Sequence, residues 1–411
     1  MRRGSNRDDR FLGGRACDDV RHALASVCGS GHDQAMSMDR SHRPLRVGLI
    51  GYGYAGRTFH APLIEAVDGL ELAVVASSQP AQVRADLPQA DVVPDAASLI
   101  ARADVDLVVI AAPNALHASL AEAALRAGKH VVVDKPFVLD LAQARHVTRL
   151  AQDAGRVLSV FQNRRWDSDF LAVRAAVAAG RVGRVVHVES RIDRFRPEVR
   201  VRWREQAVPG AGLWFDLGPH LADQALVLFG LPERITLHRL AQRNGSVVDD
   251  WFHAVLDYGA LQVVLQAGML VAGGTPRYLV HGERGGLRKH GADRQEGQLR
   301  EGMRPGAAGW GDDPDPLRVI DGNGEETTLP APAGDYRSFY AGVRDAIRGQ
   351  APNPVPPAQA LALMAVLEAG VRSARAGTSE ALELRSDEWA QAAAAFPPVQ
   401  SGGVALHSVP N

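Results

Sequence analysis

Apolar residues follow two different rhythms along this chain. Between residues 44 and 161, short unbroken apolar runs alternate with segments whose apolar positions recur every three or four residues. The runs cover residues 45–50, 72–76, 105–112, 130–133 and 157–161. A run without polar alternation suits a strand buried on both faces. Residues 61–67, 115–127 and 142–154 read as helices, the last two closed by Gly128 and Gly155. This strand–helix alternation predicts an α/β domain with a parallel sheet and helices on both faces.

Beyond residue 162 the rhythm changes. Helical stretches at 170–179 and 221–229 sit among alternating strands at 185–194, 251–258, 261–270 and 277–281. Without βαβ spacing, these predict an α+β domain with a large, mostly antiparallel open sheet covered by helices on one face. The Gly- and Pro-rich stretch 282–324 reads as a long excursion. Two closing helices, 336–348 and 358–375, flank a proline-rich connector at 352–357. The expected organisation is an N-terminal extension (1–43), a dinucleotide-binding Rossmann domain (44–161) and a substrate-binding and oligomerisation domain (162–395). The C-terminal helix of that second domain packs back on the first, and a loose tail (396–411) follows. The extension lacks sustained periodicity and is expected to be disordered. Its apolar centre at 23–27 is too short for a secretory signal, and Arg2-Arg3 lacks the apolar region of a twin-arginine signal. The expectation is a start-site artefact, with Met36 or Met38 as the true start.

Composition narrows the functional classes. The 411 residues carry a formal net charge of −1, which gives no support to a nucleic-acid partner. No apolar run approaches bilayer length. Both cysteines, Cys17 and Cys28, precede the first strand, so the folded body offers no Cys-ligated zinc, thiol nucleophile or disulfide framework. A cytoplasmic setting is the expectation.

The first strand runs into Gly51-Tyr52-Gly53-Tyr54-Ala55-Gly56, a G-x-G-x-x-G turn with a helical segment after it and a second strand on schedule. Gly51 permits the turn, Gly53 lets a pyrophosphate approach the backbone, and Gly56 lets the helix pack closely. The free N–H groups at the helix start favour phosphate.

Three further constellations carry chemistry. Pro113, Asn114 and His117 follow the strand at 105–112, where ligands of parallel sheets bind. Asn114 also suits a helix N-cap. Asp134-Lys135-Pro136 follows the next strand. Lys135 is placed to stabilise an oxygen gaining negative charge, and equally suits a surface ion pair with Asp134. In the stretch 214–223, Pro219 fits the first position of a helix with Gly218 as its cap, which puts His220 in the first turn. The dipole there would keep the imidazole neutral, and Asp216 could orient it as a base. A satisfied buried histidine fits the same residues. A metal set of Asp216, His220 and Asp223 lacks a further ligand by spacing.

Together these features resemble the Gfo/Idh/MocA oxidoreductases, the glucose–fructose oxidoreductase and inositol dehydrogenase family, over about residues 44 to 380. The stretches Gly56-Arg57-Thr58-Phe59-His60-Ala61-Pro62, Phe161-Gln162-Asn163-Arg164-Arg165-Trp166-Asp167-Ser168-Asp169 and Asp193-Arg194-Phe195-Arg196-Pro197-Glu198-Val199-Arg200 are most similar to the scyllo-inositol dehydrogenase-like branch. The resemblance implies that Lys135, His220 and Asp216 are catalytic. His220 would be the general acid/base, with Asp216 polarising it or binding substrate. It places Gly51, Gly53, Tyr54, Ala55, Gly56, Ser77, Ser78, Pro113, Asn114, His117, Asp134, Lys135 and Asn163 at the cofactor, with no metal. The glutamate usual before the lysine is Asp134 here. It implies hydride exchange between a nicotinamide and a secondary alcohol of an inositol, sugar or polyol, in a homodimer or homotetramer joined through the open sheet face. Cofactor-sensing regulators and nicotinamide-assisted glycosidases share the family and stay open as alternatives. The second strand ends at Ala76-Ser77-Ser78-Gln79 with no acid to repel a 2′-phosphate, which favours NADP over NAD. No arginine adjoins Gln79, and Arg84 could substitute. The arginine-dense stretch 191–204 reads mainly as structural ion pairing, with Asp193, Glu198 and Glu205 as partners, and as a clamp for an acidic substrate in second place.

Overall fold

A computed structural model describes residues 43–200 and 203–399. The proposed start at Met36 or Met38, and the tail from residue 400 onward, lie outside the described residues.

The first sheet contains β1 (Leu45–Ile50), β2 (Leu70–Ala76), β3 (Asp91–Val93), β4 (Leu107–Ile110), β5 (His130–Val133) and β6 (Leu158–Val160) in the order β3-β2-β1-β4-β5-β6, every pair parallel. Val74, Val108, Val109, Val131 and Val132 are fully buried, which explains why these strands read as unbroken apolar runs. The strand order switches sides between β1 and β4, so a crevice opens beyond their carboxyl ends. Helices His117–Arg126 and Leu141–Asp153 follow β4 and β5 as expected, each leading into a left-handed glycine, Gly128 or Gly155.

The second sheet contains β7 (Val185–Arg191), β8 (Arg234–Leu240), β9 (Trp251–Asp257), β10 (Gln262–Gly268), β11 (Tyr278–Gly282), β12 (Gly285–Lys289), β13 (Leu317–Asp321), β14 (Glu326–Leu329) and β15 (Glu380–Ala381). Their order is β14-β13-β12-β11-β7-β10-β9-β8-β15. Only β7 and β10 pair in parallel, the rest antiparallel. On β9 buried and half-buried residues alternate, so one face is covered and the other is not. Helices Leu213–Phe229 and Pro357–Ala376 pack on the covered face. Fully buried Trp214 packs edge-on to Phe252, with ring centroids 5.0 Å apart, and donates its indole N–H to the Leu367 carbonyl. A Cβ added at Gly218 or Gly370 would come within 2.8 Å of that indole, so both glycines make room for it.

Three expectations are corrected. The stretch 282–324 is not an excursion. It supplies β12, helix Gln295–Arg300 and β13. Pro219 does not begin a helix. The helix starts at Leu213, because Asp249 accepts the Leu213 N–H through its carbonyl and the Trp214 N–H through its carboxylate. Residues 396–399 are docked rather than loose: Phe396 is buried under the Arg165 guanidinium, and the Val399 N–H reaches the Leu228 carbonyl. The last helix, Ser386–Ala395, lies against the first domain through Glu388, which accepts from Arg145 of Leu141–Asp153.

Candidate active site

The glycine turn opens into a cavity of about 830 Å³ that extends between the two sheets' domains. Gly51 sits at φ +96°, and a Cβ there would strike the Ala111 carbonyl at 2.6 Å. A Cβ on Gly56 would overlap the Gly51 carbonyl. Gly53 is different: a Cβ there meets nothing within 4 Å, so its bare backbone faces the cavity. A turn tight at its two ends and open at its middle, at the carboxyl end of β1, fits a dinucleotide pyrophosphate. Tyr54, Ala55, Ser77, Ser78, Pro113, Asn114, Asp134, Lys135 and Asn163 line the same cavity, as do Asp216 and His220.

One of the expected cofactor residues acts otherwise. His117 is buried and does not line the cavity. Its ring nitrogens lie 2.9 Å from the Pro136 and Ala112 carbonyls, so it ties together the loops after β4 and β5. Asn114 is not a helix cap. Its side-chain amide donates to the Gly210 carbonyl across the domain boundary.

Lys135 and Asp216 meet at the domain boundary. Lys135 Nζ donates to the Asp216 carbonyl at 2.7 Å and to its Oδ1 at 3.1 Å. Burial lowers the affinity of the Lys135 amine for its proton, which Asp216 partly restores. Burial opposes the Asp216 charge, yet Lys135 and Arg204 hold its carboxyl far below the usual range. Beneath Lys135, Asp134 accepts the Lys135 backbone N–H. Burial opposes the Asp134 charge too, but His60 and Lys135 bring it to about 2. His60 Nδ1 is in turn 2.6 Å from the Tyr340 hydroxyl.

His220 lies one turn after Asp216, well inside the helix rather than in its first turn. The dipole argument therefore does not apply. Burial lowers the imidazole far below its ordinary value, with Lys135 and Arg164 adding to the effect. Asp216 does not hold the ring, and the buried His220 Nδ1 has no hydrogen-bond partner. Asp223 faces Arg165 in a two-point ion pair, away from any metal set with Asp216 and His220.

Several lining residues were not singled out. Glu296 and Arg300 come from helix Gln295–Arg300. Glu296 accepts from the Tyr54 hydroxyl and from Arg164. Only the polar character of the 282–324 stretch hinted at them. Asp95 lines the end near Ser77 and Ser78, where its side chain caps helix Ala96–Ile100 through the Ser98 N–H.

Residues 45–162 match the NAD-binding Rossmann fold of the GFO_IDH_MocA oxidoreductase family, and residues 174–383 match its C-terminal alpha/beta domain. The chain belongs to the Gfo/Idh/MocA oxidoreductase family. It is 50% identical over 335 residues to "Uncharacterized oxidoreductase YdgJ" of Escherichia coli (strain K12), covering 80% of this chain and 96% of that one. It is 35% identical over 336 residues to "scyllo-inositol 2-dehydrogenase (NADP(+)) IolW" of Bacillus subtilis (strain 168), covering 80% and 94%. A crystal structure of a putative oxidoreductase from Klebsiella pneumoniae superposes with a TM-score of 0.82 at 50% identity, over 86% of this chain and 99% of that one. As a Gfo/Idh/MocA member, this chain is an oxidoreductase with an NAD(P) site, and the expected fold class holds in both domains. Among the described residues no helix is long and apolar enough to cross a membrane.

Proposed function

We propose that this chain is an NADP-dependent dehydrogenase acting on a secondary alcohol of an inositol, sugar or related polyol. The observation that carries the reading is the convergence of Lys135, Asp216 and His220 on the cavity into which the Gly53 backbone opens. A bound nicotinamide supplies the hydride acceptor or donor. Lys135 has N–H bonds to direct at the reacting oxygen, where they stabilise negative charge. His220, held neutral by burial, takes the alcohol proton in oxidation and returns it in reduction. Asp216 aims the ammonium rather than the imidazole. The Ser77-Ser78-Gln79 edge carries no acid of its own, although Asp95 lines the cavity beside it, and the NADP-dependent activity in the printed name of the Bacillus relative supports NADP. The half-buried face of the second sheet supports a homodimer or homotetramer.

The test supplies NADP⁺ or NAD⁺ with a polyol panel and follows reduced nicotinamide by absorbance. Turnover on a polyol, lost in Lys135→Ala and His220→Ala with dinucleotide binding retained, is the expected result. Full activity in both variants refutes the assigned roles.

A further inference from the structure

A side chain of the glycine turn bridges the rim of the dinucleotide site. Tyr54 follows Gly53 and is 53% exposed. Its hydroxyl donates to Glu296 Oε1 at 2.9 Å, on helix Gln295–Arg300 of the second domain. Both residues line the cavity, so the contact runs from the turn that faces the pyrophosphate to the second-domain wall.

The two ends of this bridge differ in freedom. Glu296 is a fixed post. Its Oε2 accepts from Arg164 at 2.9 Å, and Arg164 also donates to buried Asp167 at 3.1 Å. The helix that carries Glu296 is tied down on both sides of it. Gln295 accepts the Tyr336 N–H at 2.7 Å and donates to the Trp166 carbonyl at 3.1 Å, and Gln298 donates to the Gly309 carbonyl at 2.7 Å. Tyr54 instead rests its ring edge-on against Phe59, with centroids 5.9 Å apart, and meets solvent over half its surface. Exposed side chains change rotamer far faster than packed helices shift, so movement at this bridge belongs to Tyr54.

The chemistry keeps the bridge made around neutral pH. Burial opposes the Glu296 charge, yet Arg164 and Arg194 hold its carboxyl below the usual range. Burial and the Glu296 charge push the Tyr54 phenol up to about 12, so it stays a donor. A phenol donating to a carboxylate makes a charge-assisted hydrogen bond, stronger than a neutral one.

We infer that Glu296 is a positioning residue for the dinucleotide: it holds Tyr54 across the rim of the site as a latch that must open before a bound dinucleotide leaves. The inference rests on the NAD(P) site and not on the polyol reading, so either can fail alone.

Stopped-flow displacement tests it. The full chain is loaded with NADPH, or with NADH if that binds more tightly, and mixed with excess oxidised dinucleotide. The decay of bound-nicotinamide fluorescence gives the dissociation rate. Tyr54→Phe keeps the ring and removes the hydroxyl, and Glu296→Ala removes the post. Each should speed release by about fivefold or more, as loss of one hydrogen bond to a charged group permits. The double variant should release no faster than the faster single one, because both changes break the same contact. Glu296→Gln keeps an acceptor and should recover part of the slow release. The thermal midpoint of Tyr54→Phe without dinucleotide should match the parent. Release within about twofold of the parent in both single variants, or effects that multiply in the double, overturns the inference. Faster release confined to variants whose midpoint falls overturns it as well.

Discussion

Lys135 Nζ donates to two oxygens of one residue, the carbonyl and the carboxylate of Asp216, and so joins the end of β5 to the first turn of helix Leu213–Phe229. The two residues are 81 positions apart in sequence. The contact aims the ammonium into the cavity and places it near His220, one helical turn on. Asp216→Asn keeps the carbonyl contact and removes the ion pair. It is expected to lower kcat by about tenfold or more, while Lys135→Ala lowers it by about a hundredfold or more. Steady-state kinetics on one polyol, with dinucleotide affinity measured separately, checks both.

The depressed affinity of His220 for a proton sets a pH signature. Because the folded value lies well below 6.5, the ring remains a competent base as pH falls past 6.5. The pH profile of alcohol oxidation should show no falling limb attributable to this residue near 6.5. Stability carries the opposite sign. Below the unfolded value the unfolded chain binds the proton first, so folding weakens as pH falls through that window. His220→Gln should lose stability less steeply than the parent between about pH 7 and about pH 5, as read by urea denaturation.

The two glycines three residues apart should respond differently to alanine. Gly53→Ala adds a methyl into open cavity, so the thermal midpoint should hold while dinucleotide affinity drops by about tenfold or more. Gly56→Ala drives a methyl into the Gly51 carbonyl and should cost roughly 1–3 kcal/mol of stability. Differential scanning calorimetry with a fluorescence titration of reduced dinucleotide separates the two. A stable Gly56→Ala protein would contradict the packing argument.

Asp249 caps a helix from 35 residues away. Asp249→Ala should cost about 1–2 kcal/mol, as loss of a helix cap does. Asp249→Asn, which keeps an acceptor, should recover part of that loss. If the cap also holds Asp216 in register, Asp249→Ala will lower kcat beyond the effect of its stability loss at low temperature.

The first domain was legible because its signals are local. Unbroken apolar runs follow from burial on both strand faces, and the Gly51-to-Gly56 turn follows from steric limits on the backbone around it. The position of Lys135 at a strand end is likewise written in neighbouring residues. Tertiary structure decided the rest. The helix begins at Leu213 and not at Pro219 because a residue in the distant loop ahead of β9 supplies its hydrogen-bond acceptors, and no local pattern encodes a partner 35 residues away. His117 became a strut because two carbonyls from separate loops meet its ring. Glu296 and Arg300 reached the cavity from a stretch whose polarity resembled a loop, since residues that line a polar cavity look like solvated ones in sequence. The pairing of Lys135 with Asp216, rather than of Asp216 with His220, was settled by which side chains the packed domains bring within hydrogen-bond reach. Periodicity reports which face of an element is buried, and only the assembled fold reports against what.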